Sequence, residues 1–126
     1  MNRYSRRNSG LLVPAHVKLG APRVVHCKHA RHHVYIGRNP KGMAPSKWGN
    51  KFVVGVHGAR GECVALHEAD LRERLREDAA LWASLDELRG SVLGCWCAPR
   101  ACHGDVLVRL ANASELERQR WLALAA

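Results

Sequence analysis

The amino-acid sequence predicts a small single-domain α/β protein, with a Rossmann-like mixed or parallel sheet flanked by helices. Two observations lead to this prediction. Short runs of β-branched and other apolar residues, bounded by turn residues, occur in the first half of the chain and again near residue 92. Longer segments with apolar residues at helical spacing lie between and after these runs. This succession of strands and helices is typical of a sheet with helices packed against it.

The length of 126 residues suits one domain with a single hydrophobic core. Residues 1–22 are basic, contain scattered Gly, Ser and Pro residues and show no sustained periodicity. We therefore expect a loosely ordered N-terminal arm there. Residues 23–126 form the predicted domain.

Four short strands are predicted. The first is Arg23–Cys27, which contains two adjacent valines, and the second is Val34–Gly37. Phe52–Val54 suits a short buried strand, and so does the apolar run Val92–Trp96.

Helices are predicted where the periodicity changes. Apolar residues recur at helical spacing from Gly61 onward and again in Ala79–Leu88, where Asp78 is a plausible cap and Gly90 a natural stop. Two further helices are predicted near the end of the chain, at Asp105–Ala111 and Leu116–Leu124.

The charge is polarised along the chain. Residues 1–60 contain 12 of the 20 Lys and Arg residues and none of the 11 Asp and Glu residues, so residues 61–126 hold 8 basic and 11 acidic residues. A basic block attracts phosphate-bearing partners, so an anionic small molecule or a nucleic acid is the expected ligand. The same block also suits a solvated arm that only promotes solubility.

The five cysteines are an odd number, and the basic start of the chain is not followed by the apolar run of a secretory signal. No stretch approaches the ~20 apolar residues that span a membrane. We therefore expect a cytoplasmic protein without a membrane partner, in which clustered cysteines indicate metal binding or catalysis more often than disulfides.

Four histidines, His26, His29, His32 and His33, fall within eight residues. They could bind a metal, but no carboxylate accompanies them. A basic loop that faces phosphate is the alternative that we favour.

The densest group of reactive side chains is Cys95, Cys97, Cys102 and His103, at a predicted junction of strand and helix. Three sulfurs and an imidazole suit a tetrahedral zinc ion, which is the candidate cofactor. Two features argue against zinc: the first cysteines are only two apart, and adjacent Cys102 and His103 do not easily face one ion. Substitute ligands elsewhere in the chain are Cys27 and His26.

The same residues also suit chemistry without a metal, because a thiol near a helix N-terminus is activated by the helix dipole. Cys102 is then a candidate nucleophile or redox thiol, with His103 as its acid or base. Asp105 could orient an imidazole or hold a ribose hydroxyl, and Gly104 could let the backbone approach a phosphate. In a third interpretation, the cysteines of this segment are small buried hydrophobic residues.

The motifs resemble those of Domain of Unknown Function family 4326, small bacterial and bacteriophage proteins. The resemblance covers Arg23 to Asn112, with Lys51 where the family has proline, and implies no established activity. Its motifs are Val34-Tyr35-Ile36-Gly37-Arg38, Trp48-Gly49-Asn50-Lys51-Phe52, Leu88-Arg89-Gly90, and Cys95-Trp96-Cys97-Ala98-Pro99 continuing to Cys102-His103-Gly104-Asp105. The residues that it carries over as a site are Tyr35, Arg38, Trp48, Asn50, Cys97, Cys102, His103 and Asp105.

Together these patterns predict a domain that binds a phosphate-bearing ligand, such as a nucleotide, at Cys97–Asp105. Trp48 or Tyr35 would stack on a base, Arg38 would contact phosphate and Asn50 would line the site. The first alternative is a zinc-stabilised, non-enzymatic module that binds nucleic acid or protein. The second is a phage protein whose partner is a host protein.

Overall fold

The computed structural model describes residues 11–38 and 46–124. It confirms the predicted small α/β domain. Three parallel strands, β1 (Arg23–His26), β2 (Val34–Tyr35) and β3 (Val92–Cys95), form a sheet in the order β1-β3-β2. Because all three strands run the same way, their carboxyl ends meet at one edge of the sheet.

The central strand, β3, is buried along its whole length. Val24 pairs with Leu93 on one side, and Tyr35 pairs with Gly94 on the other. A strand covered on both faces is expected to be apolar throughout, and Val-Leu-Gly-Cys meets that expectation. The register places Cys95 at the carboxyl edge, next to His26 of β1.

Gly94 is required by a close approach. A Cβ atom added there would collide with the imidazole of His32, which is completely buried. The His32 ring is held by Nδ1, which pairs with the carbonyl oxygen of Ala30 at 2.9 Å. The connection between β1 and β2 therefore packs directly on the central strand.

The helices confirm most of the predicted pattern. Their bounds are α1 Arg60–Glu77, α2 Ala79–Ser84, α3 Gly104–Ala111 and α4 Glu115–Leu122, with a 3₁₀ helix at Leu85–Leu88 between α2 and β3. The predicted helix Ala79–Leu88 is thus an α-helix that tightens into a 3₁₀ turn.

Capping hydrogen bonds and backbone angles confirm the predicted helix boundaries. Asp78 Oδ1 accepts the amide hydrogen of Leu81 at 3.0 Å, which caps α2 as predicted. Gly90 has a φ of +73°, a conformation that suits glycine after a helix. Ser114 and Glu117 cap α4 reciprocally, each side chain accepting the other residue's amide hydrogen.

The predicted strand Phe52–Val54 is wrong, because this segment is a loop that runs into a turn. The amide of Val53 donates to His57 Nδ1, and Gly55 and Gly58 have φ values of +88° and +135°. A backbone turned by two such glycines cannot continue in a sheet. Val54 is therefore 46% exposed rather than buried.

The core joins the helices to the sheet. Its apolar centre contains Ile36, Leu71, Leu85, Leu88, Leu93, Leu107 and Leu110. Trp121 completes it from α4: the guanidinium of Arg72 lies 4.3 Å from its ring centroid, and its Nε1–H donates to Glu68. The predicted pairing of Glu68 with Arg72 is present at 3.1 Å.

Part of the predicted N-terminal arm lies against the domain. Val13 donates its amide hydrogen to the carbonyl of His32, and Leu12 forms an isolated parallel bridge with the same residue. Residues 1–10 lie outside the described residues, and the loose order of the arm as a whole stays a prediction. No helix within residues 11–38 and 46–124 has the length and apolar composition to cross a bilayer.

We expect the buried His32 to make the fold sensitive to acid. Burial lowers its pKa below the ordinary 6.5. Below pH 6.5, His32 is therefore protonated in the unfolded chain but stays neutral in the folded protein. The free energy of unfolding falls as the pH falls, because the unfolded chain binds more protons. This contribution is at most about 1.4 kcal/mol per pH unit, down to the folded-state pKa.

Urea denaturation of the wild type and His32→Gln between pH 7.5 and 5 measures this slope. The variant should lose less stability on acidification than the wild type. His16→Gln, at an exposed position, serves as the control for losing a histidine. Equal slopes for the wild type and H32Q would contradict the assignment.

Candidate functional site

A cleft of about 280 Å³ lies where the carboxyl end of β3 meets the start of α1. We call it the site cleft. Two arginines, Arg38 and Arg60, line it, and no Asp or Glu is among its described lining residues. The rest of the lining comes from apolar side chains, Asn50 and the cysteine segment that follows β3: Gly37, Phe52, Val54, Cys63, Val64, Cys95, Trp96, Cys97, Ala101, Cys102 and His103.

The sulfurs of Cys95, Cys97 and Cys102, which we call the thiol cluster, all lie within 4.8 Å of one another. Cys95 ends β3, Cys97 follows it, and Cys102 returns after a turn that contains the cis Ala98–Pro99 peptide. The Sγ atoms of Cys95 and Cys102 are 3.0 Å apart. Within the described residues, these three cysteines form the one group whose donor atoms converge closely enough for a metal ion.

His103 turns its Nδ1 toward the thiol cluster, at 3.6 Å from Cys102 Sγ and 4.0 Å from Cys95 Sγ. Its Nε2 lies 2.7 Å from the carbonyl oxygen of Ile36. A carbonyl only accepts hydrogen bonds, so the proton belongs on Nε2 and the lone pair of Nδ1 faces the sulfurs. A histidine held by a backbone carbonyl in this way is ordinary in metal sites.

Cys102 and His103, which the sequence argument set against a common ion, turn donor atoms toward each other, 3.6 Å apart, but His103 is not among the residues whose donor atoms all lie within 4.8 Å of one another. Both residues lie in the turn that leads into α3. A tetrahedral zinc ion with bonds of ~2.3 Å to sulfur and ~2.0 Å to nitrogen sets sulfur pairs roughly 3.8 Å apart and sulfur–nitrogen pairs about 3.5 Å apart. The Cys95–Cys102 sulfur distance is shorter than this spacing and the two distances from His103 Nδ1 are longer, so these side chains would have to rotate to hold the ion.

Without a metal, the thiol cluster favours a thiolate on Cys95 rather than on Cys102. The Cys102 thiol donates its hydrogen to Cys95 Sγ, and this hydrogen bond lowers the pKa of Cys95. The same bond, together with burial, raises the pKa of Cys102. The role of nucleophile that the sequence assigned to Cys102 stays a prediction, and this hydrogen bond makes Cys95 the alternative. Cys95 is only 2% exposed, so a reacting group would have to enter through the site cleft.

Gly104 and Asp105 do not line the site cleft. A Cβ atom on Gly104 would lie 2.6 Å from Ile36 Cδ1 and 2.8 Å from Val24 Cγ2, so this glycine lets α3 pack on the sheet rather than admitting a phosphate. Asp105 Oδ2 accepts the amide hydrogen of Cys102 at 3.2 Å and holds the turn. It is the Ile36 carbonyl, not Asp105, that orients His103.

Some of the predicted ligand-binding residues line the site cleft, and the others lie outside its lining. Arg38 and Asn50 line it. The Asn50 side chain also donates to the carbonyl of Cys63 and accepts the amide hydrogen of Phe52. The Tyr35 hydroxyl donates to the carbonyl of Arg38 at 2.6 Å. Trp48 is 2% exposed within the core and presents no ring face to a ligand.

The lining residues that were not predicted include Arg60, Cys63 and Trp96, and the buried His67 was not predicted either. Nothing in the local sequence sets Arg60 or Cys63 apart, since α1 reaches the site cleft only by packing. His67 is buried, contacts His103 with ring centroids 4.9 Å apart, and has no hydrogen-bond partner for either ring nitrogen within the described residues. Burial lowers its pKa to about 3, so its ring is neutral.

The four clustered histidines do not form a common site. His32 is buried, and His33 pairs with the carbonyl of Val17 and the amide of Val92. His26 and His29 stack on each other, 4.4 Å between centroids. Most of this segment is the turn between β1 and β2, and His32 and His33 are held within the fold, so it is not a uniformly basic loop. Cys27 also lies outside the thiol cluster, and burial raises its pKa to about 12.

Comparison with known families agrees with the position of these motifs. Residues 23–113 match the sequence model of the family described as Domain of unknown function (DUF4326). The chain belongs to this family. The match includes all three strands and the whole described lining of the site cleft.

One relative of this DUF4326 protein is the "Uncharacterized 12.4 kDa protein in nrdA-td intergenic region" of Enterobacteria phage T4, 37% identical over 65 residues. The aligned segment covers 52% of this chain and 59% of the phage protein. No solved structure matches the chain.

Proposed function

We propose that this DUF4326 protein binds a phosphate-bearing anion in the site cleft. We also propose that a zinc ion stabilises the cysteine segment that lines this cleft. The observation that carries the proposal is the composition of the cleft. Two arginines, three converging thiols and the Nδ1 atom of His103, 3.6 Å from Cys102 Sγ, share one opening that has no carboxylate among its described lining residues.

The two arginines supply the anion site. Within the part of the chain that the structure describes, neither Arg38 nor Arg60 belongs to an ion pair, whereas Arg72, Arg74, Arg89, Arg109 and Arg118 all do. A guanidinium that lines a concave surface without a carboxylate partner favours an anion, and its paired donors match phosphate oxygens. The position at the carboxyl edge of a parallel sheet is also where α/β proteins bind ligands.

Zinc would be held by Cys95, Cys97, Cys102 and His103, and four protein ligands leave no open coordination position. Such closed sites stabilise folds and do not activate water. The amide of Gly104, which donates to Cys102 Sγ at 3.3 Å, would support a thiolate ligand there. With zinc bound, the thiols and His103 serve as ligands rather than as nucleophile and base.

Titration calorimetry with inorganic phosphate at low salt tests the anion site. Arg38→Gln and Arg60→Gln should each weaken binding roughly 10- to 150-fold, as expected when one charge-assisted hydrogen bond worth about 1.5–3 kcal/mol is lost. Arg120→Gln removes the same charge from an exposed position on α4, outside the cleft lining, and should change affinity little. Equal weakening by all three variants would indicate only general charge attraction and would contradict a site at the cleft.

A second candidate function is a zinc-stabilised module that binds nucleic acid through the basic first half of the chain. The charge polarity favours it, because 12 of the 20 Lys and Arg residues lie within residues 1–60. Such binding would weaken steeply with salt and would depend on many basic residues rather than on the two arginines of the cleft. The host-protein partner and the cytoplasmic location stay predictions.

A further inference from the structure

We infer that Trp96 is a stacking platform for a planar aromatic ring, so that the phosphate-bearing ligand is a nucleotide. The inference rests on the proposed anion site and names its ligand class. It assigns the stacking role to Trp96, whereas the sequence predicted Trp48 or Tyr35 for that role.

The exposure of Trp96 singles it out. It directly follows β3, lines the site cleft and is 45% exposed, whereas Trp48 and Trp121 are 2% and 7% exposed. Val54, which also lines the cleft, is exposed as well. A large ring left partly uncovered inside a concave site offers an apolar surface that another flat ring can cover.

The Trp96 ring is held in place by its polar edge. Its Nε1–H donates to the Tyr35 hydroxyl at 3.0 Å, and that hydroxyl donates onward to the carbonyl of Arg38 at 2.6 Å. The His26 ring meets the indole in a T-shaped contact, 5.3 Å between centroids. Because its hydrogen-bond donor is already used, the indole offers a ligand only apolar and π contacts.

The site cleft places an aromatic surface, the Trp96 indole, and a positively charged residue, Arg38, at one opening. The hydrogen-bond chain from Trp96 through Tyr35 ends on the backbone of Arg38, whose guanidinium lines the same cleft. A ligand that uses both needs a flat aromatic group and an anionic group a short distance apart, which describes a nucleotide. A volume of about 280 Å³ accommodates one nucleotide rather than several.

Comparison of AMP with ribose 5-phosphate isolates the base, because the two molecules share the sugar and the phosphate. Stacking of one base on an aromatic side chain is worth about 1–3 kcal/mol, so AMP should bind roughly 5- to 150-fold more tightly. Trp96→Ala should remove this advantage, so that the ratio of the two affinities falls to about one. Trp96→Phe, which keeps a smaller ring, should retain part of it.

The outcomes separate the two proposals. If neither compound binds, the anion site itself is absent and the proposed function fails. If ribose 5-phosphate binds and AMP binds no more tightly, or if Trp96→Ala weakens both equally with an unchanged melting temperature, the anion site stands and the stacking inference is overturned. A short 5′-phosphorylated oligonucleotide distinguishes the source of the nucleotide: tighter binding than AMP indicates a strand end, and weaker binding indicates a free nucleotide.

Discussion

Replacing Cys102 with serine should abolish stoichiometric zinc binding and lower the melting temperature by about 10–20 °C. A ligand present at about 1,000 times its dissociation constant stabilises a fold by about 4 kcal/mol. In a domain of this size, each kcal/mol corresponds to roughly 3–5 °C. A serine hydroxyl is a poor zinc ligand, so the variant loses that contribution. Elemental analysis and thermal unfolding, each with and without a chelator, measure the effect.

Cys63→Ser provides the matched control. Cys63 is also buried and lines the same site cleft, but its sulfur is not part of the thiol cluster. This variant therefore reports the cost of placing a hydroxyl where a thiol was buried, without removing a metal ligand. It should retain one equivalent of zinc and the sensitivity to chelator. A wild-type protein whose melting temperature does not change in chelator would exclude zinc as a stabilising ion.

Replacing Gly94 with alanine should destabilise the fold by about 1–3 kcal/mol or more, the usual cost of overpacking a core. The added methyl group would enter the space of the His32 ring. Both residues are buried, and Gly94 pairs with Val25 and Tyr35 in the middle of the sheet, so neither backbone nor ring can easily move aside. Urea denaturation measures the loss.

The control for this substitution is Gly61→Ala, in the first turn of α1, where an added Cβ atom meets nothing within 4 Å. We expect that change to be neutral or to stabilise the helix by up to about 1 kcal/mol. Adding His32→Ala to Gly94→Ala should recover stability relative to the sum of the single changes, since the two side chains compete for one space. Strict additivity would show that the collision is not the cause.

The sequence predicted most of the secondary structure, whereas the arrangement of the candidate site depended on tertiary packing. Helical periodicity predicted α1, and the cap at Asp78 and the stop at Gly90 were also predicted. Apolar runs predicted β1 and β3 to within a residue. The prediction of a strand at Phe52–Val54 was wrong. Its composition is that of a strand, but Gly55 and the His57 side chain turn the backbone.

By itself, the sequence determined the α/β class, the junction of strand and helix after β3, and the cysteines and histidine that gather there, because each depends on local spacing. Only the tertiary structure decided that His103 turns its Nδ1 toward Cys102 Sγ, since the carbonyl of Ile36, just after β2, holds the other ring nitrogen. It also decided that Trp48 is buried and Trp96 exposed, and that Arg60 reaches the site cleft. Exposure and convergence are set by packing between segments far apart in the chain, and no local pattern records them.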